Sequence, residues 1–131
     1  LIEILEGALS PATRNRLSQS AVVIDALLGT GAGGAPRAPL DQWLREANQC
    51  QALRVAIDVP TGVDAETGET AAVHFHAAAT LTFVSKKPAM VLPNAEHVFG
   101  QAVSYTHLRA HETVLDLVCR LLLEKKKRKE K

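Results

Sequence analysis

Apolar and polar positions alternate along the chain in blocks whose period changes from one block to the next. Residues 21–28, "AVVIDALL", form a compact β-branched run between the polar "RNRLSQS" and a loop of glycines, and read as a strand buried on both faces. In "PLDQWLREANQC" (39–50), Leu40, Trp43, Leu44 and Ala47 fall at i, i+3, i+4 and i+7, the stripe of an amphipathic helix. Asp41 lies near the positive N-terminal end of that helix, and Trp43 reads as a packing residue on its apolar face. "LRVAIDVP" (53–60) is a second apolar strand, stopped by Pro60, which has no N–H to donate. After the polar turn "TGVDAETGE", "ATLTF" (79–83) is a third strand, rich in threonine. Upstream, "LIEILEGAL" has helical spacing, with Ile2, Leu5 and Leu9 near one face.

Strand, helix, strand with crossovers of this length predicts a parallel sheet covered by helices, an α/β fold of three layers. Open parallel sheets bind ligands outside the carboxyl ends of their strands. Asp25 and Asp58 fall at or near such ends, so two carboxylates are expected on one rim. Asp25 precedes a loop, Gly29, Thr30, Gly31, Ala32, Gly33, Gly34 and Ala35, whose glycines let backbone N–H groups approach an anion without a Cβ in the way. Asp58 precedes Pro60, Thr61 and Gly62, a turn that presents hydroxyl and carbonyl oxygens.

Each feature also has a plain structural reading. "GTGAGG" has the spacing of a dinucleotide fingerprint, but no acidic residue ends a strand about twenty residues later, and the Lys-Ser/Thr pair of a P-loop is absent. A strand-end aspartate commonly caps backbone N–H groups. His74 and His76 share a face if extended, but no third ligand lies near them in sequence.

Composition narrows the class. The chain has 131 residues, enough for one domain or part of one, and its 47% hydrophobic and 22% charged residues exclude disordered and collagen-like classes. No apolar run reaches the roughly 18 residues of a membrane span and no secretory pattern opens the chain, so a cytoplasmic protein is expected. Cys50 and Cys119 read as ordinary reduced thiols. The chain opens on Leu1 and reads as beginning inside a fold.

Residues 1–102 carry seven Lys or Arg against ten Asp or Glu, net −3, whereas residues 103–131 carry eight against four, net +4. The basic tail invites a zinc pair at His107 and His111, an amphipathic stripe at Leu115, Val118, Leu122 and Leu123, and a polyanion-binding arm in "KKKRKEK". The whole string instead resembles a translated sequencing-library adapter: "VSYTHLRAHET" the transposase end, "VLD" the index and "LVCRLLLEKKK" the flow-cell end running into poly-A. Residues 103–131 are therefore expected to be a non-native tail without function, even though "ETVLDLVCRLLLEKKK" has good helix formers.

Taken in order, "VVIDALLGTGAGGAPRAPL", "VAIDVPTGVDAETGE" and "ATLTFVSKKPA" resemble the NAD(P)H-hydrate epimerases, whose segments read D-A-L-L-G-T-G, D-x-P-S-G-x-D-x-x-T-G and T-x-T-F followed by a lysine. The resemblance covers residues 20–102 and implies a Rossmann-like homodimeric isomerase that interconverts the R and S epimers of hydrated NADH or NADPH. Carried over by position, it makes Asp25 and Thr61 potassium ligands, with Thr61 where the family has serine. It makes Gly29–Ala35 the substrate loop and Asp58 the substrate-contacting acid and base. Lys87 matches the lysine after T-x-T-F, and Ala89 replaces a glycine. A small-molecule substrate is implied, with no nucleic acid or membrane as partner.

One departure is large. The family's earlier loop, G-N-N-G-G-D in character, has no counterpart in residues 1–20. The chain thus reads as the C-terminal part of an epimerase domain, residues 1–102, expected to be inactive and poorly folded alone because half a sheet leaves apolar faces and an edge uncovered. Two alternatives remain open from sequence: a non-catalytic nucleotide-binding or interaction module on the same fold, and a nucleotide-binding α/β enzyme of another class.

Overall fold

The computed structural model describes residues 9–105. The helical spacing across residues 1–9, the His107/His111 pair, Cys119 and the apolar stripe of the tail fall wholly or mostly outside the described residues. Strands β1 (Val22–Asp25), β2 (Leu53–Ile57), β3 (Ala79–Phe83) and β4 (Gln101–Tyr105) form a parallel sheet in the order β1-β2-β3-β4. Helix α1 (Pro11–Gln19) precedes β1, α2 (Leu40–Gln49) links β1 to β2, and a 3-10 turn (Pro88–Val91) and short α3 (Glu96–Phe99) link β3 to β4. This is a Rossmann-like α/β architecture.

Local chemistry explains the elements. Pro11 occupies the first turn of α1, where a missing N–H costs nothing, and the Ser10 hydroxyl accepts from the Thr13 N–H at 3.2 Å. Along α2, Leu44 and Ala47 are buried, as the stripe predicts, and pack with Ala56 and Phe75, with Leu17 of α1 and Val23 of β1 at the margin. Alternation along β2 then sends Val55 to the opposite face, where it meets Ala79 and Leu81. A third cluster, Val59, Val63, Ala89, Met90 and Phe99, holds the turn after β2 against the connection from β3 to β4. Ala89 is buried there and donates its N–H to the Ala65 carbonyl at 3.0 Å.

Two expectations need correction. The run 21–28 is a strand only over residues 22–25, and it is not buried on both faces: Ile24 is 42% exposed. Among the described residues β1 pairs only with β2, at the end of the strand order, and Ile24 is left without a full cover. Strand β2 is ended not by Pro60 but by Asp58, whose φ of 68° turns the chain off the sheet. Asn and Asp are the non-glycine residues that tolerate this left-handed conformation. Strand β4 continues past residue 102, with Val103, Ser104 and Tyr105 registered against Leu81, Thr82 and Phe83. Among the described residues no helix is long and apolar enough to cross a membrane.

Candidate functional site

Parallel register places Asp25 beside Ala56, so the ends of β1 and β2 share the carboxyl rim of the sheet. Asp25 is the last residue of β1 and only 3% exposed. A buried carboxylate needs donors, and Thr61 supplies two. Its N–H donates to Oδ2 at 2.7 Å and its hydroxyl to Oδ1 at 2.7 Å, while the Leu27 N–H donates to Oδ1 at 3.2 Å. The Thr61 oxygen accepts in turn from the Leu28 N–H at 3.2 Å. The loop after β1 and the turn after β2 are thereby locked together, and Asp25 does cap backbone N–H groups, as a strand-end aspartate commonly does.

Asp58 occupies the same rim one strand over. Its N–H still reaches the Leu81 carbonyl at 2.7 Å, keeping the ladder intact up to the turn. Its side chain is a quarter exposed and forms an ion pair through Oδ1 with Lys87 Nζ at 2.8 Å. The Thr82 hydroxyl donates to the same Oδ1 at 3.1 Å. The other oxygen, Oδ2, faces the glycine loop: a methyl placed on Gly29 would lie 3.9 Å from it.

The loop itself is open. Residues 29–35 are all exposed, and a turn closes between the Ala32 N–H and the Gly29 carbonyl at 3.2 Å. Methyl groups built on Gly31, Gly33 and Gly34 would meet nothing within 4 Å, so protein packing does not demand these glycines, although Gly34 has φ of 86°. Gly62 is different. Its φ is 85° and a methyl there would sit 2.8 Å from the Val73 carbonyl oxygen, so close backbone approach requires glycine. A cavity of about 270 Å³ runs between Ala32–Ala35 of the loop and the Gly62–Asp64 and Glu69–Ala71 segments.

The turn beside that cavity is built on Asp64, whose carboxylate accepts from the N–H groups of Glu66 and Thr67, both at 2.8 Å. Those hydrogen bonds, Thr67 first and then Glu66, hold its carboxyl below the ordinary carboxylate range.

Structure therefore gathers Asp25 with Thr61, and Asp58 with the Gly29 end of the loop. Thr82 joins the site without being a sequence candidate, although the T-x-T spacing puts Thr80 and Thr82 on one face of a buried strand and signals polar groups in need of partners. His74 and His76 do lie together, their ring centroids 4.6 Å apart, but His74 Nδ1 is engaged with the Ala71 carbonyl at 3.0 Å. Desolvation, then the charges of His74 and Arg54, push His76 below its ordinary value. Among the described residues no group of three or more His, Cys, Asp and Glu side chains is arranged to hold a metal. Cys50 is a free, buried thiol.

Residues 2–89, which include both aspartates, the glycine loop and Lys87, match the model of the family described as YjeF-related protein N-terminus. The chain belongs to this family. Among curated relatives, it is 39% identical over 97 residues to the bifunctional NAD(P)H-hydrate repair enzyme of Leishmania braziliensis, a match covering 73% of this chain and 17% of that protein. It is 42% identical over 80 residues to the bifunctional NAD(P)H-hydrate repair enzyme Nnr of Escherichia coli, covering 61% of this chain and 16% of that one. It is 43% identical over 72 residues to the NAD(P)H-hydrate epimerase of Rhodopirellula baltica, covering 55% of this chain and 30% of that relative. The chain thus spans less than a third of the length of each of these relatives.

Proposed function

We propose that this segment supplies part of the active site of an isomerase that interconverts the R and S epimers of hydrated NADH or NADPH, a repair of damaged nicotinamide cofactor. Its relatives' names support the reaction class. The observation that carries the reading is the Asp58 carboxylate on the carboxyl rim, one oxygen anchored and the other turned toward an exposed glycine loop.

The chemistry suits these groups. In the hydrated nicotinamide a hydroxyl sits on a ring carbon next to nitrogen, so once protonated it leaves as water and the ring becomes a delocalised cation. Water returns to either face, and loss of a proton completes the epimer. Asp58 is assigned as the acid that protonates the leaving hydroxyl and the base that takes the proton back, its negative charge lying near the developing cation. Gly29, Thr30, Gly31, Ala32, Gly33, Gly34 and Ala35 are assigned to the substrate, an exposed stretch whose glycines carry no Cβ to keep phosphates away from its backbone N–H groups, that of Ala32 being already donated to the Gly29 carbonyl.

A potassium ion is assigned to Asp25 and Thr61. These are hard oxygen donors, a carboxylate and a hydroxyl 2.7 Å apart, and both residues are almost fully buried, where a cation offsets carboxylate charge. Because the Asp25 oxygens already accept hydrogen bonds from Thr61 and Leu27, the ion would share them, and its contribution is positive charge that stiffens the loop. The partner set proposed is a small-molecule substrate and a second copy of the complete chain, with no nucleic acid and no membrane, acting in the cytoplasm.

The reaction is tested by incubating the complete protein with the R epimer of hydrated NADH in heavy-oxygen water. Conversion toward an R/S mixture with solvent oxygen in the new hydroxyl is expected. No interconversion, or retention of the original oxygen, contradicts the reading.

A further inference from the structure

We propose that Lys87 is the positioning residue for Asp58: by anchoring Oδ1 it leaves Oδ2 as the oxygen that works toward the glycine loop. The inference rests on the reading of Asp58 as the catalytic group. A carboxylate's terminal torsion is broad and roughly two-fold, so an unanchored Asp58 would present either oxygen over a range of angles. Nothing in its own strand holds it, because the chain leaves β2 at this residue through a left-handed turn.

The anchors come from the neighbouring strand and the turn that follows it. Lys87 Nζ lies 2.8 Å from Oδ1 and 3.4 Å from the Phe83 carbonyl oxygen, so one ammonium ties the carboxylate to the end of β3. The Thr82 hydroxyl, fully buried, lies 3.1 Å from the same Oδ1 and 3.4 Å from the Ser85 carbonyl. The side chains of Lys87 and Asp58 are only 20% and 25% exposed, which places the pair in the partly desolvated regime where charge-assisted hydrogen bonds orient a group better than they do on an open surface.

The turn that delivers Lys87 is itself unusual. Val84 has φ of 67° and is 79% exposed, a conformation that β-branched residues rarely adopt. It is held by the Val84 N–H on the Tyr105 carbonyl at 3.0 Å and the Ser85 N–H on the Phe83 carbonyl at 2.8 Å. Strained backbone of this kind clusters at functional sites, and here it lies in the turn that carries the ammonium to the rim.

The test uses the complete protein with Asp58→Asn, Lys87→Met, Lys87→Arg and Thr82→Val variants, each checked for folding by circular dichroism and assayed for epimerisation. With Asp58→Asn inactive, Lys87→Met is expected to lower kcat between about tenfold and a hundredfold while KM changes much less. Lys87→Arg, which keeps the charge and the donors, is expected to restore most of kcat. Thr82→Val, which removes the second donor at constant volume, is expected to lower kcat by a smaller factor. If Asp58→Asn is inactive but both Lys87→Met and Thr82→Val turn over like the wild type, the positioning role is overturned and the reading of Asp58 survives. A loss in Lys87→Met that arginine does not restore, or that appears equally in KM, also overturns it. An active Asp58→Asn protein removes the underlying reading and this inference with it.

Discussion

Thr61 holds Asp25 with both its backbone and its side chain, N–H to Oδ2 and hydroxyl to Oδ1, each at 2.7 Å across 36 residues of sequence. Local chemistry at two strand ends thereby becomes one rigid rim. Removing the hydroxyl isolates the effect: Thr61→Val strips Oδ1 of a donor and leaves the Leu28 N–H without its acceptor. A buried polar group left unsatisfied costs about 1–3 kcal/mol. Thr61→Ser keeps both bonds and gives up a methyl, about 1 kcal/mol. Chemical denaturation of the complete protein should rank wild type above Ser above Val, and equal stability of Val and wild type would remove the clamp.

The glycines divide into those the fold needs and those it does not. Gly62→Ala forces a Cβ against the Val73 carbonyl at φ of 85° and is expected to destabilise by more than about 1 kcal/mol. Gly33→Ala meets no protein atom and is expected to leave stability within about 0.5 kcal/mol. If the loop cradles substrate, the same Gly33→Ala change raises KM. Thermal melts with steady-state kinetics on both variants separate the two roles.

Acid should loosen the turn after Thr61. The folded Asp64 carboxyl lies below its unfolded value of 3.8, so its stabilisation is present above that value and is lost as pH falls through the folded one. His76, also depressed from 6.5, disfavours the charged form when folded, so its effect has the same sign and begins as pH drops below 6.5. Amide exchange of Glu66 and Thr67 followed by NMR is expected to accelerate only in the acid window of Asp64. Rates independent of pH there, after correction for intrinsic exchange, would show that the carboxylate does not hold the turn.

How much of this was legible depended on whether one side chain pattern dominated a segment. Strands β2 and β3 and helix α2 follow directly from period, and the shared rim of Asp25 and Asp58 follows from parallel strands. Helix α1 reads as a polar boundary because Leu17 is its one strongly apolar residue; the Ser10–Pro11 cap is the helix signal that its sequence carries. Strand β4 has a weak sequence signature because "QAVSY" is short and runs across the point where the tail is expected to begin. Where an apolar strand falls in the strand order, as β1 falls at the end of the described one, is a tertiary fact that its residues do not encode. Lys87 stands out through the family string, but its distance from Asp58 depends on the turn at Val84, a conformation no propensity favours.

Among the described residues β1 and β4 each have a single strand neighbour, and Ile24 and Leu27 are more than 40% exposed beside the first. Unpaired edges and apolar exposure favour association over a unique fold. The isolated 131-residue chain is expected to lack a sharp thermal transition and to self-associate. A cooperative, concentration-independent melt by calorimetry would oppose that expectation.

On the proposed reading the Asp58 carboxylate moves the proton. Its most direct test is the rate at which the complete protein converts the R epimer of hydrated NADH to the S epimer, compared between wild type and an equally stable Asp58→Asn variant. A fall of about a hundredfold to ten-thousandfold in kcat is expected. An Asp58→Asn protein that epimerises at the wild-type rate contradicts it.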